Sequence, residues 1–222
     1  KRDKWINDWQ GQLIIAISQL SWTGDTIKAI SGGAKKEKVP AKKGLKSMRK
    51  KQVSFLKKLT ESIRSVKNKV TKNKLVGLIT IEVHSRDVLE KLMKLAGITT
   101  DAFEWLMQLR YYWEKTVVQP TGDTVLRQTN TLFTYGYEYL GNSGRLVVTP
   151  LTDRCYMTLT TALHLKRGGS PKGPAGTGKT ETVKDLGKAL GDYVIVVNCS
   201  EGLDYKSIGR MFSGLCQTGA WG

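Results

Sequence analysis

The segment Gly173-Pro174-Ala175-Gly176-Thr177-Gly178-Lys179-Thr180 runs glycine, four residues, glycine, lysine, threonine. This is the pattern of a loop that cradles phosphates. Gly173, Gly176 and Gly178 tolerate backbone angles closed to other residues, so the loop can turn its N–H groups inward around phosphate oxygens. Lys179 would reach the β- and γ-phosphates as a point charge, and Thr180 would offer its hydroxyl to Mg²⁺. A helix starting near Gly178 would add its partially positive N-terminus to the same place. Binding of a nucleoside triphosphate is the first functional expectation.

A loop of this kind sits between a strand and a helix. Val183, Leu186 and Leu190 recur at helical spacing, Gly191 can stop that helix, and Tyr193-Val194-Ile195-Val196-Val197 reads as a buried parallel strand. These would be the helix and second strand of a βαβ unit. The strand before the loop is harder to find. Gly168-Gly169-Ser170-Pro171-Lys172 is short, polar and difficult to extend, so a first strand there must be very brief.

Further upstream the pattern is helical. Trp5, Trp9, Leu13, Ala16, Ile17 and Leu20 fall on one helical face, which predicts a helix over the first twenty residues that packs through this stripe. Gly32 through Gly44 reads as a mobile basic loop. Leu56, Leu59, Ile63, Val66 and Val70 repeat at three- and four-residue spacing, with Lys57, Lys58, Arg64, Lys67 and Lys69 mostly off that face. A third helix is predicted from Leu75 to Leu95. A fourth, capped by Asp101, carries Phe103, Leu106, Met107 and Arg110 toward Tyr111-Tyr112-Trp113.

The period then changes. Thr116-Val117-Val118, Val125 to Thr129 and Thr131 to Tyr139 predict short strands, the first two joined by the turn Pro120-Thr121-Gly122-Asp123. Tyr135, Tyr137 and Tyr139 alternate, so their rings are expected on one sheet face as a packing surface. Asn142-Ser143-Gly144 turns the chain before Leu146-Val147-Val148. Pro150 and Thr152 then open a helix that runs to about Leu165 and ends at Gly168-Gly169.

Six tryptophans and a hydrophobic share of 40% argue for a folded protein, and 222 residues suffice for one large or two small domains. The net charge of +17 is uneven, because Lys35 to Lys74 holds sixteen Lys or Arg against only Glu37 and Glu61. Such a stretch admits an acidic partner, whether nucleic acid, a membrane surface or an acidic protein surface. Only Phe55 interleaves with these lysines, which weakens a single-strand nucleic-acid site. The adopted reading is a solvated helix face plus a basic loop, with no specific nucleic acid and no membrane as partner. The competing reading is a basic interaction module that grips an acidic surface and in which the phosphate loop is secondary.

Cys155, Cys199 and Cys216 are odd in number and widely spaced, which fits packing thiols in a reduced compartment. His84 and His164 are isolated and read as structural. With no run of about 18 apolar residues and no signal peptide, the chain reads as soluble and cytosolic. Both ends look cut, at Lys1 inside an amphipathic helix and at Trp221-Gly222 with no closing element.

From Tyr135 onward the wording becomes that of a known family. Tyr135-Gly136-Tyr137-Glu138-Tyr139-Leu140-Gly141, Thr149-Pro150-Leu151-Thr152-Asp153-Arg154-Cys155-Tyr156, the phosphate loop and Asn198-Cys199-Ser200-Glu201-Gly202-Leu203-Asp204-Tyr205 strongly resemble dynein heavy chains, where the linker meets the first AAA+ module. Upstream, Val83-His84-Ser85-Arg86-Asp87-Val88, Asp101-Ala102-Phe103-Glu104-Trp105 and Gln108-Leu109-Arg110-Tyr111-Tyr112-Trp113 look like the C-terminal part of the dynein linker. Asn198 through Lys206 looks more like axonemal inner-arm heavy chains than cytoplasmic ones.

The resemblance implies an α+β chain. A helical linker segment with short antiparallel strands, residues 1–144, would be followed by the N-terminal part of an α/β P-loop AAA+ domain, residues 145–222. It makes Gly173 to Thr180 the first Walker A loop, with ATP and Mg²⁺ as ligands, and lays Val148, Pro150, Leu151 and Thr152 against the adenine. The implied partners are the remaining dynein AAA+ modules, a microtubule reached through a stalk outside this chain, and dynein intermediate and light chains. The implied location is the cytoplasm and cytoskeleton, in a ciliary or flagellar axoneme. In the family a Walker B acidic pair follows almost directly after the position of Gly222, and an arginine finger comes from a neighbouring module. No catalytic residue can therefore be assigned here, and the chain is expected to be inactive in hydrolysis by itself.

Overall fold

The computed structural model describes residues 2–32, 40–115, 117 and 119–222. Among the described residues, eight helices and three strands run in the order α1 (Arg2–Asp8), α2 (Gly11–Ile30), α3 (Ala41–Ser65), α4 (Lys69–Lys94), α5 (Phe103–Leu106), β1 (Arg110–Glu114), β2 (Asp123–Gln128), β3 (Thr131–Thr134), α6 (Pro150–His164), α7 (Lys179–Leu190) and α8 (Tyr205–Thr218). The expectation of a helical segment with short antiparallel strands ahead of the start of an AAA+ domain matches this order.

Helices α2, α3 and α4 pack on one another, and β1 lies on α2. One core cluster gathers Trp22, Leu45, Val88, Leu89, Leu92 and Trp105, with the two indole rings 5.5 Å apart. A second joins Ile6, Ile14, Leu59, Leu75 and Leu78. Glu82 of α4 is buried between these helices, and its carboxylate accepts hydrogen bonds from Ser18 of α2 and Gln52 of α3. Buried charge persists only with such partners.

The exposed face of α2 differs from the expected one. Trp9, Leu13 and Ile17 are 51%, 39% and 39% exposed, whereas Ile14, Ile15 and Trp22 are buried. The first helix is also two, since α1 ends at Asp8 and α2 begins at Gly11. Leu13, Ile14, Ile15 and Ile17 surround much of the helix, so periodicity alone does not choose its buried side. Helix α3 begins at Ala41, inside the segment expected to be loop; the rest of that loop, residues 33–39, lies outside the described residues. It ends at Ser65 because Asn68 caps a new helix by accepting from the Val70 N–H at 2.8 Å, and Val70 is left 55% exposed.

The predicted fourth helix shrinks to Phe103–Leu106, and Tyr111-Tyr112-Trp113 belong to β1. Aromatic residues suit a pleated, half-buried surface. Here they pair with β2 in the register Tyr111↔Leu126, Tyr112↔Val125, Trp113↔Thr124. Thr116 and Val118, part of an expected strand, lie outside the described residues. Strand β3 stops at Thr134, so the three tyrosines do not share a sheet face. Tyr137 takes φ +55°, which turns the chain and leaves Tyr135 buried while Tyr137 and Tyr139 are exposed.

Leu146-Val147-Val148 forms no strand. Tyr193–Val197 is likewise not a buried strand: its only pairing among the described residues is a parallel bridge between Val194 and Trp221, and Tyr193, Val196 and Val197 are exposed. A parallel strand needs neighbours on both edges to be buried, and the three-stranded sheet is elsewhere.

If the residues before about Gly144 and those after it belong to separate modules, few core contacts should cross between the helices of residues 1–113 and the helix that follows the glycine loop. Trp9 and Trp113 do stay exposed and Trp5 joins the cluster of Ile6, yet Tyr111 and Leu126 share a cluster with Tyr135, Tyr156, Leu159, Leu186 and Leu190. The Tyr111 hydroxyl donates to the Ala189 carbonyl at 2.6 Å. Helix α7 thus shares a buried apolar cluster with residues of β1 and β2. No described helix is long and apolar enough to cross a membrane.

Candidate nucleotide site

Two glycines shape the phosphate loop. Gly176 and Gly178 take φ +74° and +77°, and a Cβ at either would meet nothing within 4 Å, so both face open space. Gly178 is the N-cap of α7 and Lys179 its first residue, which brings the helix N-terminus and the lysine to the same point. The Lys179 ammonium donates to the Gly173 and Pro174 carbonyls at 2.9 and 2.6 Å and lies 3.5 Å from the Thr177 hydroxyl. Thr177 donates to the Pro174 carbonyl at 2.9 Å, and Thr182 to Gly178 at 2.8 Å, which closes the loop onto the helix. Thr180 is exposed in the first turn. A basic group, free backbone amides and an exposed hydroxyl around a glycine loop fit a polyphosphate with its Mg²⁺. No group of three or more His, Cys, Asp or Glu that could hold a metal by itself occurs among the described residues.

The residues expected on the adenine side gather at the start of α6. Thr149 and Thr152 cap it reciprocally, each backbone N–H donating to the other's hydroxyl at 3.3 Å, with Pro150 as the first helical residue. Leu151 is 71% exposed. Val148 lines a partly open cavity of about 40 Å³ with Trp22, His84, Gln108, Arg145 and Asp153. Trp22 Nε1 and Gln108 Oε1 are buried without a protein partner, and a space of this size is large enough for a water molecule. His84 and Asp153 face each other there at 3.7 Å. Burial lowers the His84 pKa against the pull of Asp153, and burial raises that of Asp153 against the pull of His84.

Sequence reading missed the group that ties these halves together. Asp185 of α7 receives Arg145 Nε at 2.8 Å and Leu146 N at 3.1 Å on one oxygen, and Arg145 Nη2 at 3.1 Å and the Tyr156 hydroxyl at 2.6 Å on the other. Its side chain is 1% exposed and that of Arg145 7%. Burial alone would raise the Asp185 carboxyl, but Arg145, Tyr156 and the Leu146 N–H hold it below the usual carboxylate range. Burial would lower Arg145, and Asp185 pushes it above its ordinary value instead. The Tyr156 hydroxyl is raised by burial and by Asp185, and that of Tyr111 by burial. The one signal in the sequence was an acid placed beside Leu186 on the apolar side of a short helix.

Comparison with known proteins gives these features a common setting. Residues 135–222 match the family described as the hydrolytic ATP binding site of the dynein motor region. Over 222 residues, all of this chain, the sequence is 66% identical to human dynein axonemal heavy chain 2 and covers 5% of it. It is 56% identical over 221 residues to the dynein-1-beta heavy chain, flagellar inner arm I1 complex, of Chlamydomonas reinhardtii, covering all of this chain and 5% of that one. With human dynein axonemal heavy chain 1 it shares 47% over 221 residues, which is 99% of this chain and again 5% of the relative. The chain thus spans about a twentieth of the length of these relatives.

Proposed function

This chain belongs by sequence to the dynein heavy-chain family, and we propose that it binds Mg·ATP through Gly173–Thr180 and couples the nucleotide state to residues 1–144. In this reading residues 1–144 are the C-terminal part of a linker and 145–222 the N-terminal part of the first AAA+ module. The whole protein would be a microtubule motor of a ciliary or flagellar axoneme, working with further AAA+ modules. The observation that carries the reading is the Lys179 ammonium held inside its own glycine loop at the N-terminus of α7.

Each residue then has a task. Backbone amides of Gly176 to Lys179 surround the phosphates, Lys179 balances their β/γ charge, and Thr180 Oγ1 is a ligand for Mg²⁺. Val148, Pro150, Leu151 and Thr152 support the adenine through backbone and apolar contact. When bound, ATP supplies the phosphoanhydride whose hydrolysis drives such a motor. No residue of this chain is assigned to orienting the attacking water, so turnover by the chain alone is not expected.

Calorimetric titration with Mg·ATP tests the assignment. Lys179→Ala removes a charge-assisted contact and is expected to cost about 1.5–3 kcal/mol of binding. Equal affinity of parent and variant would refute the site.

A further inference from the structure

We propose that Asp185 is a positioning residue for the nucleotide, a single buried carboxylate that holds the adenine-side segment 145–152 in register with the phosphate loop. The proposal rests on the nucleotide reading of Gly173–Thr180 and adds to it a residue that touches neither phosphate nor base.

Asp185 lies six residues after Lys179 on the same helix, about 9 Å along its axis at 1.5 Å per residue. It therefore moves with the phosphate loop as part of one rigid element. Its four donors come from the other half of the site. Arg145 and Leu146 belong to the stretch leading into Val148 and the Thr149 cap, and Tyr156 stands on α6, whose first turn holds Pro150, Leu151 and Thr152. Lys188, one turn further along α7, extends the same seam by donating to the Gly144 carbonyl at 3.1 Å. Thus a carboxylate fixed to the phosphate side is gripped wholly by groups fixed to the adenine side.

Apolar contact already holds these elements together. Leu186 and Leu190 of α7 are fully buried in the cluster that includes Tyr156 and Leu159. Leucines in a core permit small slides, because packing is not directional. The fork of Arg145 on both oxygens of Asp185, with a hydroxyl and an amide filling the remaining positions, fixes one distance and one orientation. A buried ion pair adds little net stability over apolar residues, and its best-attested use is to specify a register. Register is what a ligand spanning both halves needs, since displacement of about 1 Å between a reactant's anchors can cost a hundredfold in rate.

The test compares two ligands on the 222-residue chain by calorimetry: Mg·ATP, which spans both halves, and Mg·tripolyphosphate, which has the phosphates and no base. Asp185→Asn keeps the volume and removes the charge that orders the fork. It is expected to weaken Mg·ATP by about tenfold, which is 1.4 kcal/mol, while changing Mg·tripolyphosphate less than about twofold. A residue serving stability alone would lower both affinities by one factor through the folded fraction, so equal losses, or no loss, would overturn the proposal. Tyr156→Phe deletes one hydrogen bond without touching the charge and carries the same comparison if Asp185→Asn does not fold. Its expected effect is about threefold on Mg·ATP alone. Lys179→Ala in the same titrations separates the two readings. If that variant binds both ligands like the parent, the phosphate-loop assignment has failed, whereas loss of both with an unchanged ATP-to-tripolyphosphate ratio in Asp185→Asn condemns only the positioning role.

Discussion

Replacing Arg145 with methionine preserves most of the side-chain length and leaves Asp185 buried without its guanidinium. Two of the four hydrogen bonds to the carboxylate vanish, those from Nε at 2.8 Å and Nη2 at 3.1 Å, while the Tyr156 hydroxyl and the Leu146 N–H remain. Removing one partner of a buried pair costs about 3–5 kcal/mol, and the two surviving donors put the expected loss near the lower end, about 3 kcal/mol. That is a large part of a typical domain stability of about 5–15 kcal/mol. The pH dependence identifies the cause. In the parent, Asp185 is held below its unfolded value, so its stabilisation is present above the unfolded carboxylate pKa and is lost as pH falls through the lower folded value. In the variant, burial without Arg145 raises the same group, so the folded state takes up a proton and the penalty shrinks on acidification. Urea unfolding followed by tryptophan fluorescence at pH 7 and pH 5 should therefore show a gap between parent and variant that narrows toward acid. Adding Asp185→Leu removes the stranded charge but orphans the Tyr156 hydroxyl and the Leu146 N–H at about 1–3 kcal/mol each, so the double variant recovers part of the loss at most. A loss below about 1 kcal/mol at pH 7, or a gap that does not depend on pH, would refute this account.

Gly191→Ala should destabilise by about 2–4 kcal/mol in the same assay, combining left-handed backbone strain with overpacking. Its φ is +73° and a Cβ there would fall 2.6 Å from the Tyr135 ring; a cost under about 1 kcal/mol would mean that the ring yields freely. Burial, with Glu138 adding to it, lifts the Asp192 carboxyl to about 6. This group is raised on folding, so stability should decline as pH rises from about 4 to about 6, and Asp192→Asn should flatten that decline and gain up to about 1 kcal/mol at pH 7 after solvent screening. An unchanged pH profile would sink the assignment. For the basic face of α3, weak sequence-independent binding of oligonucleotides is expected, about 10⁻⁴–10⁻⁶ M near physiological salt and fading as salt rises. Nanomolar, sequence-selective binding at about 0.15 M salt would promote the reading of this chain as a nucleic-acid module.

The glycine turns at Gly176 and Gly178, α6 and α7 were legible because their signals are local. Gly178 and Gly191 bound α7 with positive φ, and Thr149, Pro150 and Thr152 form the cap that their types announce. The wet side of α3 was equally plain, with Lys57, Lys58 and Arg64 exposed beside buried Leu56 and Leu59. What escaped depends on partners distant in the chain. Tyr111 to Trp113 continue a helical pattern and become a strand only because β2 is there to pair with them. The inward side of α2 is chosen by α3 and α4, not by its own spacing. Arg145 lies 40 positions from Asp185, and no periodicity links the two.

The hold of the phosphate loop on its own lysine has a kinetic and a thermodynamic face. Two of the three N–H donors of the Lys179 ammonium are taken by the Gly173 and Pro174 carbonyls, so an arriving anion would exchange one set of oxygens for another rather than meet a bare charge. Affinity then reports a difference between two hydrogen-bonded states, which keeps it moderate. In return the side chain is already extended along the loop, and little rotamer entropy remains to be lost on association. Release is eased by the same carbonyls, which can recapture the ammonium as the anion departs. Were a polyphosphate to bind here as proposed, a loop arranged in this way would favour its exchange over tight retention.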